Sequence, residues 1–232
     1  MVKLMELEWR KLERNKVIGE VLIYWVIIMF MPTFFLTVVF ADDPMIAFGR
    51  SYSYAINLML PIQMGFLLFG ASLINHVFIE EYKNKTIALS FGYPISRKKL
   101  VQAKAMFIAV AVFICTLVSF VLSGITTYVL DQMLGVINGE PTLADFVTYA
   151  IRAVTHSAVI ALASLIPLFW FGLWKRLVIP TVICAIVLMQ LPTILSILRL
   201  TLNLDIVYVI ISLLGMASVY LSVKLVNRLG DQ

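Results

Sequence analysis

Charge is scarce in this chain, and its distribution is informative. Only 13% of the 232 residues are charged, against roughly 25% in a typical soluble domain. Hydrophobic residues make up 62%, and the mean hydropathy is +0.99. One soluble core of this size cannot bury so much apolar surface, so lipid must solvate it. The length is that of one domain. Cysteine is nearly absent: Cys115 and Cys184 lie in apolar runs and read as small buried hydrophobes, not as a disulfide or metal pair. None of the 11 glycines is followed by Lys, so the chain has no Gly-x4-Gly-Lys-Ser/Thr phosphate loop. Any ATP hydrolysis must come from a partner. The first twenty residues alternate charged and apolar positions, which excludes a cleavable signal there.

Six windows hold no Asp, Glu, Lys or Arg and are about as long as a spanning helix needs to be. They are Val21–Phe40, Ser51–Ile79, Ala105–Leu130, Ala153–Trp174, Leu177–Leu198 and Ile206–Val223. Pro32, Pro61, Pro167, Pro180 and Pro192 fall inside them, as local kinks or as hinges of a moving bundle. The cations sort by side. Lys3, Arg10, Lys11, Arg14, Lys16, Lys83, Lys85, Arg97, Lys98, Lys99, Lys104, Lys175, Arg176, Lys224 and Arg228 fall on one side of such a topology, and only Arg50, Arg152 and Arg199 on the other. The positive-inside rule then puts both termini, the 80–104 loop and the Lys175–Arg176 turn in the cytoplasm. The net charge of +5 is therefore a membrane-sidedness signal and does not point to nucleic acid.

The expected fold is all-α: six transmembrane helices, an amphipathic surface helix over 1–20, a transmembrane domain over 21–224 and a cytoplasmic tail over 225–232. In the surface helix Val2, Met5, Trp9 and Leu12 share one face, with Met5, Trp9 and Leu12 as the interfacial anchor, and Glu6 and Arg10 form an i,i+4 pair. The 80–104 loop is too long for a simple turn. Thr86–Phe91 can form one or two helical turns with Ile87, Leu89 and Phe91 apolar; Gly92 and Pro94 stop it, and Ser96 can cap the next helix. Such a segment can dock on a partner, or it can rest as a basic loop on anionic headgroups.

No enzyme signature stands out. Gly70-Ala71-Ser72-Leu73 lacks the last Gly of a rhomboid-type protease motif, and no His follows His156. Glu80-Glu81-x3-Lys85 departs by one residue type from a Glu-Glu-x3-Arg protease motif and has no His-x3-Asn beside it. His76 and His156 lie near opposite faces, too far apart to share a metal, and read as polar residues between helices. No catalytic or metal-binding residue is expected. Uncharged spans disfavour an ion-coupled carrier or channel; a non-transporting membrane scaffold or immunity protein stays open. Asn57, Gln63, Phe66, Phe69, Trp170 and Gln190 are candidates for a substrate path.

The loop resembles the signature region of the membrane subunits of ABC-2-type ABC transporters. Glu81 stands five residues before Thr86, and Leu89, Pro94, Ser96, Arg97, Leu100 and Lys104 fit the pattern that follows; Lys85 stands where that family often has Gly. The six-span layout and the surface helix agree. The small size is most like the branch that exports bacteriocins, lantibiotics and toxic peptides. The resemblance implies a permease subunit in a bacterial plasma membrane, paired with a second membrane subunit as a homo- or heterodimer. It implies a separate cytoplasmic ATPase that binds ATP and Mg, leaving no cofactor on this chain. The coupling helix would lie near Thr86–Phe91, and Glu81, Lys85, Thr86, Ile87, Leu89, Ser90, Phe91, Pro94 and Arg97 would be the residues that transmit ATPase closure.

Overall fold

The computed structural model describes residues 2–39, 51–84, 96–135, 137, 139–197 and 204–228. Every regular element among them is helical. Helix α1 (Val2–Lys11) lies against the bundle, and α2 (Arg14–Phe34) continues through a π-helical turn at Phe35–Val39. The next span is built in pieces: α3 (Tyr52–Gln63), α4 (Phe66–Ile74), a π-helical turn at Asn75–Ile79 and α5 (Glu80–Lys83). Helix α6 (Arg97–Leu134) is followed by α7 (Leu143–Ala163), a π-helical stretch at Leu168–Trp174, α8 (Val178–Met189), α9 (Leu191–Ile197) and α10 (Leu204–Arg228).

Five helical stretches among the described residues are long and apolar enough to cross a membrane: Arg14–Val38, Tyr52–Lys83, Arg97–Leu134, Leu143–Ala163 and Leu204–Val226. The window expected at Leu177–Leu198 is different. It is split at Gln190 into α8 and α9. Pro192 has no N–H for the Leu188 carbonyl, and its ring would crowd that turn. The 12 residues of α8 reach only about 18 Å, short of the roughly 30 Å hydrocarbon core.

Other boundaries move as well. The surface helix stops at Lys11, and residues 14–20 belong to the helix of the first span. Glu20 is therefore part of a spanning helix. Likewise α6 begins at Arg97 and carries Lys104 into the bundle. The helices thus extend past the charge-free windows and carry Glu20 and Lys104 at their ends. Ser96 stands at the N-cap of α6, but its side chain makes no capping hydrogen bond. Helix α7 begins ten residues before the expected Ala153, because Thr142 and Asp145 form a reciprocal capping box.

The core lies among α2, α4, α6, α7 and α10, with Phe66, Phe69, Phe78, Ile74, Ile108 and Phe120 fully buried. Apolar side chains on the outer faces are exposed, for example Ile23, Ile125, Ile179 and Leu213, as a lipid-facing surface requires.

Candidate functional site

Helix α1 carries one charged residue on its apolar stripe. Glu8 lies three residues after Met5 and four before Leu12, so a helix turns all three the same way. Met5 and Leu12 pack on the core, the Trp9 ring lies 6.4 Å from that of Phe107, and Glu8 is only 3% exposed. The anchor residues thus face α6, and they bring a carboxylate with them.

Its partner is Lys104, which is 2% exposed. The Lys104 ammonium donates to the Val77 carbonyl at 2.8 Å and to Glu81 Oε2 at 2.5 Å. It lies 3.5 Å from Glu8 Oε2, and 5.4 Å from the centre of the Phe78 ring. Lys11 Nζ closes the group at 3.2 Å from Glu8 Oε1 and 3.4 Å from Glu81 Oε1. Burial alone lowers the Lys11 ammonium, but Glu8 and Glu81 outweigh it and hold it above its ordinary 10.5. Two lysines and two carboxylates, from α1, α5 and α6, thus neutralise one another, with Lys104 and Glu8 buried and Lys11 half-exposed at the edge.

A second group adjoins it. Glu20 Oε2 accepts from the Ser72 hydroxyl at 2.8 Å. His76 stands between two carboxylates, with Nε2 3.6 Å from Glu20 Oε1 and Nδ1 3.0 Å from Glu80 Oε2. Asn75 Nδ2 donates to Glu80 Oε1 at 3.1 Å. The Arg176 guanidinium, on a residue with φ of 54°, stacks 3.9 Å over the Tyr82 ring. Both groups sit where the 85–95 segment leaves α5 and where α6 begins. One end of the bundle therefore gathers the N-terminal helix, the second span, the third span and the Lys175–Arg176 turn.

Of the residues expected to couple to an ATPase, Glu81 is in the buried group and Arg97 starts α6. Lys85, Thr86, Ile87, Leu89, Ser90, Phe91 and Pro94 lie outside the described residues. The expected path residues do not converge on one cavity. Phe66 and Phe69 are core residues packed edge to face, with Tyr24 against both. Gln63 is fully buried and donates to Ser123 Oγ at 2.9 Å, with its Oε1 unpartnered. Asn57 accepts from Arg152 at the opposite end. Trp170 is exposed, 4.7 Å from the Trp174 ring, and Gln190 marks the break between α8 and α9. His156 is buried against the Tyr208 ring at 4.8 Å, with Nε2 unpartnered.

Sequence reasoning missed Glu8 and Glu20. The signal for Glu8 is a carboxylate in an apolar helical stripe; for Glu20 it is a carboxylate one residue before an uncharged window.

Comparison with known proteins bears on this arrangement. No solved structure matches the chain. An uncharacterized protein of Bacillus subtilis (strain 168), YcbO, is 39% identical over 126 residues, which are 54% of this chain and 55% of that protein. The match thus spans little more than half the length of that relative. A family model described as "ABC-2 family transporter protein" matches residues 4–192, which include the whole charge cluster and both ends of the loop. The chain therefore belongs to the ABC-2 family of transporter membrane proteins.

Proposed function

We propose that the chain is the transmembrane half of an ATP-driven exporter, powered by a separate cytoplasmic ATPase and paired with a second membrane subunit. Its seat is a bacterial plasma membrane, with both termini in the cytoplasm. Family membership supports a permease subunit. The observation that carries the coupling reading is the charge cluster of Lys104, Glu81, Glu8 and Lys11 at the root of the 85–95 segment. A push on that segment by a docked ATPase acts directly on α5 and α6, and the ion pairs pass it to α1. Buried, mutually hydrogen-bonded charges hold these helices in one relative geometry, which a lever needs.

Ile87, Leu89 and Phe91 would fill an apolar groove on the ATPase, and Thr86, Ser90 and the flanking charges would form its polar rim. The cargo is an amphipathic, membrane-active peptide that enters partly from the bilayer. The wide apolar surfaces of the spans support this, since a hydrophilic solute would lose hydration there with little replacement. The deciding experiment is copurification with the ATPase. Leu89→Asp and Phe91→Asp variants should insert normally and lose the ATPase. Full retention by both overturns the coupling assignment.

A further inference from the structure

A cavity of about 470 Å³ lies between α2, α4 and α8 at the charged end of the bundle. Its polar wall is Glu20, Ser72 and Asn75, and its apolar wall includes Ile23, Leu68 and Val182. Ile23 is 61% and Val182 36% exposed, so the cavity opens toward the lipid-facing side.

The polar wall is short of donors. Ser72 has already given its proton to Glu20, and Asn75 has given one amide hydrogen to Glu80. Asn75 Oδ1 is buried without a partner. Among the described residues Glu20 makes no ion pair with Lys or Arg. His76 stands between Glu20 and Glu80, its ring nitrogens 3.6 Å and 3.0 Å from the two carboxylates, so one imidazole is shared by both. The Glu20 side chain, 35% exposed, thus adds negative charge to a wall whose donors are already engaged, which suits a cationic group. From Leu68 to the end of α4 at Ile74 is about 9 Å, room for an apolar arm beside the acceptors.

We propose that this cavity receives a cationic amphipathic peptide, its ammonium or guanidinium on Glu20 and an apolar side chain against Leu68 and Val182. This rests on the exporter reading above and names the charge its cargo carries. Glu20 in the wall repels an anionic head, and a neutral head gives it no charge partner beyond His76.

The test uses the full chain in phosphatidylcholine nanodiscs without any ATPase. The probe is dodecylamine with a diazirine on its alkyl chain, and the crosslinked peptides are mapped by mass spectrometry. Labelling is expected within 20–24, 68–75 and 178–182. Dodecanol and dodecyl sulfate should compete poorly. Glu20→Gln should weaken labelling at least about tenfold, the scale of one lost charge-assisted hydrogen bond, and Glu20→Asp should keep most of it. Unchanged labelling in Glu20→Gln, or equal competition by dodecanol, overturns the proposal. Should Glu20→Gln fail to fold, Val182→Trp decides: it fills the apolar wall and keeps the carboxylate, so undiminished labelling overturns the site. A short Leu–Lys peptide should displace the probe; displacement by phosphatidylethanolamine and not by the peptide overturns the peptide assignment. Loss of the exporter reading in the copurification experiment would leave this labelling untouched, so the two failures are distinguishable.

Discussion

Lys104 sets the strength of the charge cluster, because it is the most deeply buried of the four groups, donates to Glu81 and to a main-chain carbonyl, and pairs with Glu8. Replacing it with Met removes the buried cation shared by Glu8 and Glu81 and leaves beside them Lys11, whose side chain is 46% exposed. Breaking a buried pair in this way costs about 3–5 kcal/mol. We expect Lys104→Met to lower the thermal unfolding midpoint in lipid nanodiscs strongly. Lys104→Met combined with Glu81→Gln should be less damaging than the sum of the two singles, by about 0.5–3 kcal/mol. Strict additivity would show that the two side chains are not coupled. Lys11→Met, the half-exposed member, should cost no more than about 1 kcal/mol.

At the scale of elements, the close approach of α7 and α10 depends on one missing side chain. A Cβ at Gly215 would fall inside the van der Waals shell of the Leu162 carbonyl oxygen, a main-chain atom that cannot rotate away. Small residues let membrane helices approach this closely. Gly215→Ala should therefore push the helices apart and destabilise the chain by about 1–3 kcal/mol. Gly19, on α2, has nothing near its absent Cβ. Gly19→Ala should be neutral or stabilising by up to about 1 kcal/mol. Thermal unfolding of the two variants side by side checks this; equal midpoints would mean that α7 and α10 do not pack so tightly. The break between α8 and α9 has a different origin. It lies two residues before Pro192, which offers no N–H to the Leu188 carbonyl, so residues on either side of Gln190 need not lie on one axis.

For the whole molecule, sidedness is the property that the proposed docking and export both require. The two ends of the bundle differ in kind. One gathers Lys11, Lys104 and Arg176 with Glu8, Glu20, Glu80 and Glu81. The other has Tyr52 donating to Asp131 at 2.7 Å, Ser53 to Asp145 at 3.3 Å, and Arg152 on Asn57. Single cysteines in a background without Cys115 and Cys184 test which end faces in. Asp43→Cys and Glu140→Cys should react with an impermeant maleimide from outside, and Lys85→Cys and Arg228→Cys only after permeabilisation. The reverse pattern overturns the assigned sidedness. Arg199→Cys separates six crossings from five: labelling from outside means that α8 and α9 together traverse the bilayer, and labelling only after permeabilisation means that they turn back.

The sequence by itself determined the membrane setting, the helical class and the end of the bundle where charge collects. Those follow from local quantities: apolar runs without charge, and the order of Lys and Arg along the chain. The Glu6–Arg10 pair, four residues apart in one helix, was readable for the same reason, and the structure places it at 2.7 Å. Only the tertiary structure decided which charges are buried. Glu8, Glu81 and Lys104 meet from three helices separated by tens of residues, and no window along the chain records that distance. The same holds for Glu20, which counts as a flanking residue until α2, α4 and α8 close a cavity around it. It holds for Phe66 and Phe69 too, which read as path residues in one dimension and pack as core in three. Hydrophobicity is a property of each residue, whereas the partner of a buried charge is fixed by the packing of the helices around it.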